Sequence, residues 1–289
     1  MKRLCNPPLS TLPASVKRPS YDRAALTPGI VHIGVGGFHR AHQAVYIDDL
    51  FNLGVGHEWG LVGVGLLEHD RVMADALIPQ DCLYSVIEQD IRGNAARVVG
   101  ALTDFVHAPS DPQRTMELLC DPRIRIVSMT ITEGGYNIDQ ASGKFLTSNE
   151  AIQQEARGAV PLSVFGYVVG ALAERRKRGV APFTVLSCDN VVHNGRIAAG
   201  AFCAFAEMRD PELAEWMRSS VAFPNTMVDR ITPATSPETR ALAAEMLGLD
   251  DRWPVACESF KQWVIEDSFC NGRPELERVG VQMTSDVTP

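Results

Sequence analysis

The segment GIVHIGVGGFHRAHQAVYIDDLFNLG, residues 29–54, constrains this chain more than any other stretch. Ile30, Val31, Ile33 and Val35 form an apolar run, the pattern of a strand buried on both faces. Glycines stand at 34, 36 and 37, and a helical pattern follows in which Ala44, Ile47, Leu50 and Phe51 share one face. Gly54 suits the left-handed position just past a helix end. A second apolar run, WGLVGVGL at 59–66, comes next. Strand, glycine turn, helix and strand in this order predict a βαβ unit and a parallel sheet.

A Gly34-x-Gly36-Gly37 turn between strand and helix is the setting a dinucleotide site requires. Gly34 permits a tight turn, Gly36 lets a pyrophosphate approach the backbone, and the helix start supplies N–H groups and a positive dipole end. His39 stands where the third glycine of G-x-G-x-x-G belongs, and a plain tight turn is the competing reading. Glu68 and Asp70 follow the second run, where a carboxylate accepts hydrogen bonds from an adenosine ribose. An acid there repels a 2′-phosphate and favours NAD over NADP. Arg71 is a candidate phosphate contact, and Asp70 could instead cap the helix that follows.

The alternation continues. YSVIEQD (84–90) and AARVVGALTDFVH (95–107) flank Arg92-Gly93-Asn94 and predict a hairpin. Asp111-Pro112 opens a helix through Leu119, and IRIVSMTIT (124–132) is another core strand. Residues 161–179 read as a helix with a basic last turn, FTVLSCDN (183–190) as a strand, and GRIAAGAFCAFAEMRD and PELAEWMRSS as successive helices. The expectation is a doubly wound, Rossmann-type, mainly parallel α/β sheet with helices on both faces, spanning 29–285 behind an extended arm at 1–28.

Net charge is −8, from 27 Lys+Arg against 35 Asp+Glu, which speaks against nucleic acid or an anionic membrane as partner. Seven cysteines without a Cys-x-x-Cys pair fit a reducing, cytoplasmic setting. The longest apolar stretch, residues 198–206, is far short of the ~20 residues of a spanning helix.

Polar clusters end two of the strands: Thr130–Tyr136, with Thr132 and Glu133, and Ser187–Asn194, with Asp189 and Asn190. In an open parallel sheet ligands bind at that edge, although Asx residues also serve ordinary turns. FPNTMVDRITPAT (223–235) reads as a rigid functional loop, with an Asp229–Arg230 ion pair as the structural alternative. His39 and His42 lack a third ligand at metal-binding spacing, so no metal is expected.

Together GIVHIGVGGFHRAHQ, TITEGGY, SCDNVVHNG, FPNTMVDRITP and NGRPELERVGVQMTSDVTP resemble the long-chain mannitol dehydrogenase family over essentially the whole chain. The resemblance implies hydride transfer between NAD(P) and a secondary alcohol, interconverting mannitol and fructose or relatives such as fructuronate and mannonate, without zinc. By likeness Gly34, Gly36, Phe38 and Arg40 belong to the cofactor loop and Asp70 is the ribose acid. Asn190 looks like the residue that holds the reacting oxygen, and Asp229 like the one assisting proton relay. The family's base is a lysine in Lys-x-x-x-x-Asn-x-x-His, opening a helical second domain. No lysine here has that spacing, since Lys261 is followed by Glu266 and Phe269 at those offsets. Ser285-Asp286-Val287-Thr288-Pro289 reads as a helix start. The expectation is therefore a nucleotide-binding half, with 286–289 the beginning of an absent C-terminal domain that is itself an expected partner. A non-catalytic dinucleotide-binding module that needs a partner chain is the alternative.

Overall fold

A computed structural model of the chain describes residues 2–5, 7–139 and 141–287. In chain order the strands are β1 (Pro28–Ile33), β2 (Gly60–Gly65), β3 (Tyr84–Asp90), β4 (Gly93–Val99), β5 (Leu102–His107) and β6 (Ile126–Met129). They continue with β7 (Thr184–Ser187), β8 (Thr226–Asp229), β9 (Val255–Glu258), β10 (Gln262–Glu266) and β11 (Gln282–Thr284). The helices are α1 (Gly37–Ala41), α2 (Gln43–Asn52), α3 (Arg71–Leu77), α4 (Pro112–Cys120) and α5 (Thr132–Gly135). After them come α6 (Glu150–Ala156), α7 (Val164–Lys177), α8 (Asn194–Arg209), α9 (Pro211–Ser220) and α10 (Pro237–Leu247).

Five strands make one wholly parallel sheet in the order β5-β2-β1-β6-β7. Of these β1, β2, β6 and β7 are buried on both faces, which is why they read as continuous apolar runs, while the edge strand β5 leaves Thr103 and Asp104 half-buried. Val31 and Ile33 of β1 face Phe165 and Val168 of α7 and Phe202 of α8, whereas Ile30 faces Ala44, Ile47 and Phe51 of α2. Helices thus cover both faces, as the sequence led us to expect. From β1 the chain builds outward through β2 and β5 on one side and through β6 and β7 on the other. The carboxyl ends of β1 and β6 consequently flank a crevice, the place where such sheets bind ligands.

Local caps set the helix ends. Asp111 accepts from the Arg114 N–H at 3.0 Å and starts α4. Ser163 caps α7, which therefore opens three residues inside the expected span. The helix expected to run on from His39 is broken at His42 (φ −114°, ψ −89°), which separates α1 from α2.

Two small sheets, β4-β3-β9 and β11-β10-β8, close over the α2 face. The expected hairpin is present, with Asp90 opposite Gly93. The run 95–107 is nevertheless two strands. At Gly100 the N–H donates to Asp48 Oδ1 at 2.9 Å, and a side chain would come within 2.7 Å of Pro19. This corner sends β4 to the small sheet and β5 to the edge of the large one. Residues 2–5 and 7–28 lie over the body with Leu4, Leu12 and Val16 buried beside Leu83, Val98 and Leu247. The helix start expected at Thr288-Pro289 lies outside the described residues.

Candidate functional site

The glycine turn leaves β1 at Gly34, whose φ of +87° few side chains tolerate. A Cβ there would also sit 2.2 Å from the Thr130 carbonyl oxygen at the end of β6. The turn is therefore pressed against β6, and Thr130 Oγ1 donates to the Gly34 carbonyl at 2.7 Å. At Gly36 the nearest atom to an added Cβ would be the Gly34 oxygen, 3.9 Å away, so that side of the loop is open. Gly37 begins α1, whose first N–H groups have no acceptor within the helix.

Beside this turn lies a cleft of about 280 Å³ that brings four strand ends together. Phe38 comes from the turn, Thr130 and Thr132 from the end of β6, Asn190 from the end of β7, and Asp229 from the end of β8. Of the residues singled out from sequence, Phe38, Thr132, Asp189, Asn190, Asp229 and Arg230 line the cleft, and exposed Glu133 follows Thr132. Thr130, Cys188 and Val228 also line it.

Asp189 and Asn190 share a motif but not a role. Asn190 is exposed in the cleft, whereas the Asp189 carboxylate is buried and accepts three hydrogen bonds. The donors are Thr132 N–H at 2.8 Å, Ile131 N–H at 3.2 Å and the Tyr136 hydroxyl at 2.7 Å. Burial and the neighbouring carboxylate raise the Tyr136 hydroxyl above its ordinary range, so it stays protonated and donates. Thr132 is held at φ +61°, a conformation threonine rarely adopts. Asp189 thus clamps the β6 loop onto the β7 loop.

The expected loop 223–235 contains β8, paired antiparallel with β10. Asn225 Oδ1 accepts from the Gly195 and Arg196 N–H groups at 3.0 and 3.2 Å, so it caps α8. An Asp229–Arg230 ion pair is not formed. Arg230 is buried, donates to Glu88 at 2.6 Å and to the Ala41 carbonyl at 2.6 Å, and leaves Asp229 exposed at the rim.

At the end of β2, Asp70 Oδ2 accepts from the Leu67 N–H at 2.9 Å, which closes the short turn 68–70, and it makes no side-chain cap on α3. Its second carboxylate oxygen is 3.8 Å from His69 Nε2, and Glu68 is exposed. Arg71 is drawn to Asp75 at 3.1 Å and to Ser110 at 3.0 Å. These acids stand beyond the other side of β1 and do not line the cleft. Arg40 follows the turn, but its guanidinium runs into the interior. It donates to the Trp253 carbonyl and lies 5.2 Å from the centre of the Tyr84 ring. Burial lowers its pKa to about 10.

His39 and His42 part company. The His39 ring stacks on His32 with centroids 3.6 Å apart, and His42 stacks on Phe38 at 4.8 Å. Among the described residues no three His, Cys, Asp or Glu side chains gather in a group able to hold a metal. Sequence reasoning passed over His32, although a histidine inside GIVHIGV was the available signal.

Residues 28–278 match the family model of the mannitol dehydrogenase Rossmann domain. The chain belongs to the mannitol dehydrogenase family. Over 274 residues, 94% of the chain, it is 56% identical to mannitol 2-dehydrogenase of Cereibacter sphaeroides and spans 57% of that protein. It is 50% identical to a polyol:NADP oxidoreductase of Gluconobacter oxydans strain 621H, matching 97% of this chain and 58% of that one. The ternary complex of Pseudomonas fluorescens mannitol 2-dehydrogenase with NAD and D-mannitol superposes with a TM-score of 0.97. The two are 48% identical, and the match covers 99% of this chain and 59% of the other. The chain thus spans a little over half the length of these mannitol dehydrogenase family relatives. No helix among the described residues is long and apolar enough to cross a membrane.

Proposed function

We propose that this chain is the dinucleotide-binding part of an NAD-dependent polyol dehydrogenase, acting on mannitol and fructose or on a close pair such as mannonate and fructuronate. The observation that carries the reading is the convergence of Phe38, Thr132, Asn190 and Asp229 in one cleft beside the glycine turn. The residues fit a dinucleotide, because the Gly36 side of the turn is open where a side chain would fill it. Residues 29–285 form the proposed domain, residues 1–28 its arm, and 286–289 the beginning of a second domain.

Bound NAD supplies the hydride acceptor. The turn at Gly34, Gly36 and Gly37, with the first N–H groups of α1, holds the pyrophosphate. Asp70, with Glu68 beside it, faces the adenosine ribose, and Thr132 and Glu133 border the nicotinamide side. The Asn190 amide orients the reacting oxygen, and exposed Asp229 passes the released proton to solvent. The lysine base is proposed to come from outside these 289 residues. Without a general base, help of about 10²–10⁴-fold is missing, and lost positioning adds to that.

Fluorescence titration with NADH and a mannitol oxidation assay test the proposal. We expect the purified chain to bind NADH and to show no measurable turnover. Robust turnover would refute the missing base, and absence of binding would refute the cofactor assignment.

A further inference from the structure

Beneath the glycine turn, on the α2 side of β1, runs a line of buried polar groups that has no part in the reading above. His32 and Ser128 are fully buried, and Gln43 is nearly so. Ser128 Oγ lies 2.8 Å from His32 Nδ1 and 3.0 Å from the Gln43 side-chain amide end placed as Oε1. His32 Nε2 lies 3.1 Å from Thr130 Oγ1, which in turn donates to the Gly34 carbonyl at 2.7 Å. The line therefore ends on the one turn residue whose backbone angle admits little besides glycine.

Counting protons gives the line a direction. A threonine hydroxyl has one proton, and that of Thr130 goes to the Gly34 carbonyl at the shorter distance. His32 Nε2, which faces that hydroxyl and the Gly34 carbonyl, must then carry a proton and donate. Burial keeps the ring neutral, with its pKa lowered to about 3, so Nδ1 bears none. Ser128 accordingly donates to Nδ1. With the Ser128 proton spent, the amide nitrogen of Gln43 is the end that satisfies their contact, since amide ends are assigned from such networks. Each proton along the line from Gln43 to Thr130 then has an acceptor and points toward Gly34.

We propose that the proton-ordered line Gln43–Ser128–His32–Thr130 presets the Gly34 turn for the dinucleotide, which makes Ser128, His32 and Thr130 positioning residues. The inference rests on the dinucleotide reading. His39 supports it. At the place of a third glycine, its ring lies flat on His32 at an interplanar angle of 9°. Helix α1 therefore meets β1 through two stacked rings rather than through backbone packed on a glycine. Both His39 ring nitrogens are buried without a hydrogen-bond partner, so the stack leaves the His32 nitrogens to the line.

The test combines NADH titration with nitrogen NMR of the imidazoles in the 289-residue chain. His32 is expected as the neutral Nε2–H tautomer. Thr130→Val should weaken NADH binding about tenfold, the scale of one lost hydrogen bond, and Thr130→Ser should restore it. Ser128→Ala, at a residue that does not line the cleft, should weaken binding severalfold and shift the Nδ1 signal of His32. An Nδ1–H tautomer overturns the proposal. So does loss of affinity in Thr130→Val with none in Ser128→Ala, which would make Thr130 a local contact only. Failure of the unaltered chain to bind NADH would overturn the functional reading instead, and the tautomer still decides the proton order.

Discussion

Asp189 offers the most direct test of how the cleft keeps its shape. In Asp189→Ala the Thr132 and Ile131 N–H groups lose their acceptor, while the Tyr136 hydroxyl keeps Ser187 Oγ at 2.6 Å. A donor left unsatisfied costs about 1–3 kcal/mol. Both N–H groups are only partly buried, so the low end applies and about 2–3 kcal/mol is expected for the pair. Asp189→Asn has the same outline and a different balance. Its remaining oxygen can accept from Thr132 N–H, and its amide can donate to the Tyr136 oxygen, whose proton turns to Ser187. Only Ile131 N–H, the longest of the three contacts at 3.2 Å, then faces a donor. That costs about 1 kcal/mol. Urea denaturation of the two variants against the parent chain measures the difference. Alanine should be the worse substitution by at least about 1 kcal/mol. An asparagine variant as unstable as alanine would refute the account by hydrogen-bond count and point to the charge itself.

Gly34→Ala should all but abolish NADH binding, because φ is +87° and the new Cβ would strike the Thr130 carbonyl; near-normal affinity in a titration would contradict the turn geometry. Asp70→Ala should weaken NADH more than NADPH, and equal losses would count against Asp70 as the ribose acid. Acid should destabilise the chain in a window set by histidines. Burial holds His42 down to about 4, His32 down to about 3 and His39 well below its ordinary value. Unfolded histidines take up a proton near pH 6.5, so the unfolded state binds more protons and stability falls as pH drops from about 6.5 toward 4. His39→Phe keeps the stack and removes one titrating ring. It should leave stability at pH 7 unchanged or higher and flatten the slope by up to about 1.4 kcal/mol per pH unit; an unchanged slope in pH-stepped denaturation would exclude His39 as a contributor.

What was legible in the sequence depended on the range of the forces involved. Apolar runs announced β1, β2, β6 and β7 because both of their faces are covered, whereas the edge strand β5 was hidden in the run 95–107. Asp111 and Asp210 cap helices by contacts within three residues, so those helix starts could be read locally, whereas the start set by Ser163 falls three residues inside the expected helix. The glycine turn and the polar strand ends lie where the chemistry suggested, because a parallel sheet delivers its carboxyl ends to one edge. Distant partners were invisible. The corner at Gly100 needs Asp48 and Pro19, and the break at His42 goes with a ring whose Nε2 meets the Gln262 carbonyl at 2.7 Å. Neighbours diverged for the same reason: Asp189 turns inward to Tyr136 while Asn190 stays in the cleft. Arg40, assigned by resemblance to the cofactor loop, is drawn to Trp253 more than two hundred residues away. Helix α10 and the sheet of β8, β10 and β11 carry short, mixed patterns that only packing against α2 and the arm organises.

The arm also sets an order in time. Leu4 N–H donates to the Asp250 carbonyl at 2.9 Å, and Asp250 N–H returns a bond to Lys2 at 2.8 Å. During synthesis the first residues made must therefore wait for residue 250, while β1, β2, β5, β6 and β7 are all complete by residue 187. Closing so long a loop is entropically costly and slow compared with local pairing. The nucleotide turn is built on the early part, and the late-closing strip seals Leu4, Leu12 and Val16 under Leu247 afterwards. A nascent chain would thus acquire its ligand-binding edge before it acquires its seal, and a ligand present at that stage would favour the assembled sheet while the arm and residue 250 are still apart.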